Sequence, residues 1–298
     1  MVLTRQQQLI IEAGTLIAGD KPTDQDKAFL ARQMVQTTLP HSDPGNVPVW
    51  SRSSGPITLI IQQGYDKTGK AYGHPYGILP RLLMYWMTTE AVRTKNTRLE
   101  LGDSLAGFME ELGLDSRGKG ARSDRVRLQD QMNRLFSSLI RFETSGSLAN
   151  GMSYDAQENM LIAEKRVFWW DHRHPEQRAL WGSYVQLDPK FFKAITANPV
   201  PVDLRALRAI KRSPLALDLY SLLTYQAFRA GKGGRPRFMS WKQLQSALGT
   251  SYGEAADLRR AIKATLLKIQ AVYPELALGE REGGIEVMPE SLPAITGQ

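Results

Sequence analysis

An α+β fold of two tandem winged-helix domains is predicted by two features of this sequence: an order of elements that occurs twice and a residue-by-residue likeness between the two occurrences. The order is helix, short strand, helix, turn, long helix and β-hairpin. It is the order of a helix-turn-helix whose second helix is flanked by a hairpin.

Ahead of the first occurrence, the spacing predicts a helix from Asp24 to Thr38. Thr23 or Asp24 caps it, and Phe29, Leu30, Gln33 and Met34 lie near one stripe. Pro40-His41-Ser42-Asp43-Pro44-Gly45 ends it, and a strand at Ile57–Gln62 and a turn at Gly64–Lys70 follow. The run Gly77 to Val92, with Ile78, Leu82, Leu83, Tyr85, Trp86 and Val92, reads as a buried helix. A short strand (Thr97 to Leu101), a helix capped by Asp103 (Ser104 to Leu112) and a long helix (Ser123 to Arg141) come next. Strands are expected around Phe142, at Met160 to Trp170 and at Tyr184 to Leu187.

The second occurrence opens with a helix carrying Leu217, Leu219, Tyr220, Leu222, Leu223 and Tyr225. It continues through an extended piece at Phe238-Met239, a helix from Ser240 or Trp241 to Leu248, a long helix from Gly253 to Val272, and a hairpin over Leu276 to Met288 turning at Gly283-Gly284. Leu105, Phe108, Leu112 and Gly113 align with Trp241, Leu244, Leu248 and Gly249. Leu128, Met132 and Leu135 or Phe136 align with Leu258, Ile262 and Leu266. The main difference is an insertion before the first long helix. The expected divisions are an N-terminal helical extension over 1–45, a first winged-helix domain over 46–182 and a second over 183–298.

The chain's 298 residues suffice for two cores, and 42% hydrophobic content excludes disorder throughout. The longest stretch free of charge, Ser53 to Tyr65, has 13 residues, short of the roughly 20 that a membrane-spanning helix needs. The first residues lack the apolar core of a signal peptide, and without Cys there is no disulfide framework, thiol nucleophile or Cys-based metal site. A cytoplasmic protein is expected. Of the net charge of +8, residues 186 to 298 carry +6, and Arg205 to Lys268 holds 13 basic residues against 3 acidic. Such segregation is the electrostatic footprint of a polyanion partner.

On the second long helix, Leu258, Ile262, Thr265, Leu266 and Ile269 share a stripe of about 100° that must face a core. The opposite side carries Gly253, Ala256, Arg260, Lys263 and Ala264, with Arg259 on the flank, a small and basic surface suited to a DNA major groove. Arg260 and Lys263 are the candidate base readers, because arginine pairs bidentately with guanine and Lys263 could reach guanine or phosphate. Ser251 and Tyr252 are candidates for phosphate contact at the helix N-terminus. The first long helix turns Ser123, Arg127, Asp130, Asn133 and Arg134 outward, after a basic glycine-rich loop that carries Arg117, Lys119 and Arg122. Lys232, Arg235 and Arg237 stand on the corresponding basic loop of the second half.

Two motifs resemble enzymatic sites. Gly64 to Ala71 has the spacing of a phosphate-cradling P-loop, but Ala71 replaces the magnesium-holding hydroxyl and Gly73-His74-Pro75 stands where the helix should start, so a plain turn is expected. His172 and His174 resemble the metal-holding pair of rolling-circle nicking initiators. That motif wants a bulky apolar residue between them, where Arg173 stands here. No catalytic, metal or cofactor site is expected. Trp169, Trp170 and Trp181 are read as core.

Pro201-Val202-Asp203-Leu204-Arg205, Ser213 to Tyr220 and Leu258 to Lys263 together resemble the plasmid-encoded RepA replication initiators of bacteria, over Val185 to Ile269. The first half is similar more loosely, through Leu82 to Trp86 and Leu99 to Ile140, and residues 1 to about 45 are not matched. The resemblance implies tandem winged helices that bind repeated origin sites, or iterons, as double-stranded DNA, open the duplex and recruit host replication proteins. It also implies repression of the protein's own promoter and a homodimer through the first domain. In this chain it places Arg259, Arg260 and Lys263 in one major groove, with Arg127 and Arg134 on a neighbouring groove or backbone. A repressor without initiator role, and a metal-dependent nickase using His172, His174 and a tyrosine, are the competing readings.

Overall fold

The computed structural model describes residues 4–118, 120, 123–147, 153–168, 182–249, 254–279 and 281–295. In chain order the elements are α1 (Arg5–Gly19), a 3-10 turn (Asp24–Asp26), β1 (Lys27–Ala31), α2 (Arg32–Gln36), β2 (Val49–Ser54), β3 (Ile57–Gln62), α3 (Ile78–Thr94), β4 (Arg98–Glu100), α4 (Leu105–Glu111), α5 (Asp124–Phe136), β5 (Leu139–Ser147), β6 (Ser153–Leu161), β7 (Ala163–Val167), β8 (Tyr184–Leu187), α6 (Pro189–Ala197), β9 (Pro199–Asp203), α7 (Leu204–Ile210), α8 (Pro214–Gly233), β10 (Arg237–Ser240), α9 (Trp241–Leu248), α10 (Ala255–Val272), β11 (Leu278–Gly279) and β12 (Gly284–Val287). The protein is α+β. It divides into a first unit of residues 42–51 and 56–198 and a second of residues 1–41, 52–55 and 199–298.

The first unit is built around α3, whose middle turns are buried on every side: Leu83, Met84 and Met87 are sealed from solvent. Such a helix is hydrophobic all round because elements cover all of it. Trp86 meets Phe108 of α4 edge to face at 5.0 Å, and its indole Nε1 donates to Glu111 at 2.9 Å. Burial raises the pKa of the Glu111 carboxyl, and the indole hydrogen bond opposes that rise. From α5, Leu128, Met132, Leu135 and Phe136 complete this core. β4, β8 and β7 form a three-stranded sheet in that order, while β2, β3, β5 and β6 form a second sheet.

The second unit repeats the plan. α8, β10, α9 and α10 lead into β11 and β12, and its sheet order is β10-β12-β11. In both units the strand before the short helix therefore pairs with the last strand of the hairpin. The short helix ends in both on a left-handed glycine, Gly113 at φ 69° and Gly249 at φ 51°, a conformation that a side chain would strain. Most aligned positions are alike in burial: Phe108 and Leu244, Leu112 and Leu248, Leu128 and Leu258, and Met132 and Ile262 are core residues, whereas Leu105 is buried and its counterpart Trp241 only half-buried. The first unit differs by the hairpin β5–β6, inserted between α5 and β7.

The N-terminal residues depart from expectation. In place of one helix over Asp24 to Thr38 there are a strand and a single helical turn, β1 and α2. β1 alternates in burial and pairs antiparallel with β9, Lys27 opposite Asp203 and Ala31 opposite Pro199. Backbone pairing with a strand far along the chain overrides a local helical stripe. α1, which has no counterpart in the sequence reading, lies against α7 and α10. Its Gly14 comes so close that a Cβ would collide with the Ala271 carbonyl. The first long helix, α5, expected to reach Arg141, stops at Phe136, where the Ser137 and Ser138 hydroxyls donate back to the carbonyls of Asn133 and Arg134.

Gly64 to Ala71 closes as a tight turn. Asp66 receives the backbone N–H groups of Thr68 and Lys70 on its own carboxylate, at 2.8 and 3.0 Å, which occupies donors that a phosphate would need. The same bonds, with that of the Thr68 hydroxyl first among them, hold Asp66 below the usual carboxylate range.

Candidate nucleic-acid interface

In the second unit, Ser240 and Gln243 form a capping box that starts α9, and Gly249 ends it. The helix that follows, α10, buries Leu258, Ile262, Thr265 and Ile269, which leaves Ala256, Arg259, Arg260, Lys263 and Ala264 exposed. This is the division expected from the helix period. Arg260 is 81% exposed and its pairing with Asp257, at 3.2 Å, is a surface ion pair worth at most about 1 kcal/mol, so the guanidinium is available to a ligand. Thr265, rather than Leu266, is the fully buried residue at that level of the stripe.

The β11–β12 hairpin stands beside α10. Gly284 leaves no room for a Cβ against the Met239 carbonyl, and the Trp241 N–H donates to the Gly283 carbonyl at 3.0 Å, which ties the turn to the start of α9. Between hairpin and helix runs an open groove of about 850 Å³, lined by Arg259, Lys263 and Leu266 from α10, by Trp241, and by Arg281 and Ile285 from the hairpin. Arg281 lies 4.2 Å over the Phe238 ring and pairs with Glu286 at 3.3 Å. Sequence reasoning passed over Arg281. Its signal is its place two residues before the Gly283-Gly284 turn.

The other candidates of the second half stand elsewhere. Arg237 is opposite Val287 and Ser240 opposite Gly284, so the loop carrying Lys232 and Arg235 joins the sheet at the end away from the 281–283 turn. The separation along the strand is about 10 Å. The structure therefore does not bring Lys232, Arg235 and Arg237 into the groove beside α10. Ser251 and Tyr252 lie outside the described residues.

In the first unit, Arg117 is exposed, Arg127 is exposed and pairs with Asp124 at 3.3 Å, and Lys119 and Arg122 lie outside the described residues. Two expected contact residues do not face solvent. Ser123 is 8% exposed, and the side chain of Arg134 only 16%. Arg134 donates to Asp130 at 2.9 Å and to Asp43 and the His74 carbonyl at 3.3 Å each, with Tyr76 under its guanidinium. Asn133 is half-buried, and its carbonyl receives Ser137 and, at 3.2 Å, Arg166. What α5 leaves open is Val126, Arg127, Gln129 and Asp130, a surface with less positive charge than that of α10. His172, His174, Trp169, Trp170 and Trp181 also fall outside the described residues. Among those described, no helix is long and apolar enough to cross a membrane.

No curated protein matches the chain. Among solved structures, the chain is similar to a selenomethionine form of domains 2 and 3 of RctB at 11% identity, with a TM-score of 0.46 over 84% of this chain and 94% of that one. A second crystal structure of RctB domains 2-3 gives 10% identity and a TM-score of 0.43 over 86% and 94%. Residues 74–243, more than half of the chain and reaching from the approach to α3 into α9, match the family model described as plasmid encoded RepA protein. The chain belongs to the family of plasmid-encoded RepA proteins, the replication initiators that its sequence resembles.

Proposed function

We propose that this replication initiator binds the repeats of a plasmid origin as duplex DNA through two winged helices, acts without catalysing a reaction by distorting DNA and recruiting host replication proteins, and represses its own promoter. The observation that carries the reading is the exposed row Arg259, Arg260 and Lys263 on α10, beside a hairpin that brings Arg281 to the same groove. A helix of about 10–12 Å diameter fits a major groove roughly 12 Å wide, while the hairpin lies against the adjoining backbone. The matching order of elements in the first unit supports a second, less basic contact through Arg117 and Arg127, while a homodimer through that unit follows from the family resemblance alone.

Footprinting on the protein's own plasmid tests this. Protection over direct repeats is the expected result, whereas protection confined to one inverted repeat at a promoter would leave repression alone. Supercoiled origin DNA should stay un-nicked with manganese present. Within a protected repeat, Arg260→Ala should relax discrimination at one base pair by about 1–3 kcal/mol. By contrast, Arg134→Ala should leave the salt dependence of binding unchanged and lower stability by about 1.5–3 kcal/mol, because its charged hydrogen bonds are internal. The same loss of discrimination from both variants would contradict the assignment.

A further inference from the structure

The end of α8 and the start of β10 gather Arg229, Lys232, Arg235 and Arg237, and the stretch from Tyr225 to Arg237 contains no acidic residue. Among the described residues no carboxylate pairs with any of the four. The side chains converge. A Cβ placed on Gly233 would lie 3.6 Å from a terminal nitrogen of Arg237 and 3.8 Å from the Arg235 side chain, so the two arginines meet over that glycine. The Arg237 Nε is buried and has no hydrogen-bond partner among the described residues. Burial, with the nearby cations Arg229 and Arg235, lowers the Arg237 pKa below the ordinary guanidinium value.

A folded chain keeps unpaired guanidinium groups together at an electrostatic cost that a bound anion offsets. The negative end of the α8 dipole favours one cation in its last turn, Lys232, but does not account for two more beyond it. At 100° per residue, Tyr225, Phe228, Arg229 and Lys232 share one stripe of α8. Phe228 on it is 55% exposed, and Arg229 lies 5.6 Å over the Tyr225 ring. Aromatic faces among arginines suit a nucleic-acid strand, whose bases stack while its phosphates take the forked guanidinium donors.

We infer that Arg229, Lys232, Arg235 and Arg237 form a second phosphate-binding site, holding the phosphodiester backbone of nucleic acid at the end of the β10–β12 pair away from the groove beside α10. The inference rests on the nucleic-acid reading above but not on α10 as the reading helix. Its backbone comes either from duplex flanking the repeat or from a separated strand, and the two sources share this chemistry.

The test measures binding of the full chain to a labelled duplex of unrelated sequence and to the corresponding single strand, by fluorescence anisotropy over a range of salt. Arg229→Ala with Arg235→Ala is made alone and on a chain already carrying Arg260→Ala and Lys263→Ala. Neither arginine makes a side-chain hydrogen bond among the described residues, so thermal unfolding checks that the fold is kept. The pair should reduce the slope of log affinity against log salt by about 1.8 on duplex or about 1.4 on single strand, and do so in both backgrounds. The probe that shows the loss identifies the source. Unchanged slopes on both probes overturn the inference, and if α10 variants then abolish binding, the reading of α10 stands without it. Polyglutamate displacing the labelled strand as well as unlabelled DNA does would also overturn it, assigning the patch to an acidic protein partner.

Discussion

Phe108→Ala should destabilise the first unit by about 3–5 kcal/mol, measured by urea unfolding. Phe108 is 1% exposed in the middle of α4, with its ring edge to face against Trp86 of α3. Truncation removes the transfer energy of the ring, leaves a cavity that close-packed neighbours fill only in part, and deletes an aromatic contact worth about 0.5–1.5 kcal/mol by itself. The Trp86 indole is also held by Glu111 from the end of the same helix, so the near-ultraviolet circular dichroism of tryptophan should change together with stability. Because two compact units are present, unfolding need not be two-state, and the transition reported by Trp86 is the one to follow. A shift below about 1 kcal/mol would mean that α4 does not seal the core of this unit.

Phe108 was legible as core because it recurs as Leu244 in the second half, and so was most of what surrounds it. Helices α3, α4, α5, α8, α9 and α10 follow from apolar spacing, and the repeat itself follows from aligned residues. What was not legible depended on distant partners. β1 reads as helix because Phe29, Leu30, Gln33 and Met34 fall on a stripe, while the strand that claims it, β9, lies some 170 residues later. α1 is short of internal signals: only Ile10 and Gly14 are buried, and Gly14 matters for its lack of a side chain, which no hydrophobic pattern records. The candidate site divides in the same way. The α10 face could be computed from 100° steps along one helix. That Arg134 spends its donors on Asp130, Asp43 and His74, and that Arg237 stands across from Val287 and not beside Lys263, required the tertiary structure.

Asp203→Ala should cost the second unit about 3–5 kcal/mol, the loss expected when one member of a buried ion pair is removed. The Asp203 side chain is 1% exposed, with its carboxylate accepting Arg205 Nη2 at 2.7 Å and Arg205 Nε at 3.1 and 3.2 Å. It also caps α7 by receiving the Arg205 backbone N–H at 2.8 Å, and its own N–H donates to the Tyr220 hydroxyl at 3.2 Å. The hydrogen bonds and charge of Asp203 raise the Arg205 pKa, so the guanidinium stays charged and, without Asp203, would keep only the Asp20 carbonyl as a hydrogen-bond acceptor, with its side chain 19% exposed. Asp203→Asn keeps an acceptor for the cap and should cost less than Asp203→Ala. Arg205→Ala strands a carboxylate in the core and should be comparably damaging, whereas the double variant should lose less than the sum of the two single losses, since it leaves neither charge uncompensated. Strict additivity in that cycle would show the pair to be uncoupled. Asp203 and Tyr220 stand in two of the segments through which the chain resembles its family, and both are buried, as are Leu215, Leu217 and Leu219 after the Ser213 cap of α8. These segments hold the scaffold together. A variant of Asp203 should accordingly weaken DNA binding in proportion to the folded fraction lost, while the affinity of the molecules still folded stays unchanged, and that separates it from variants of Arg260.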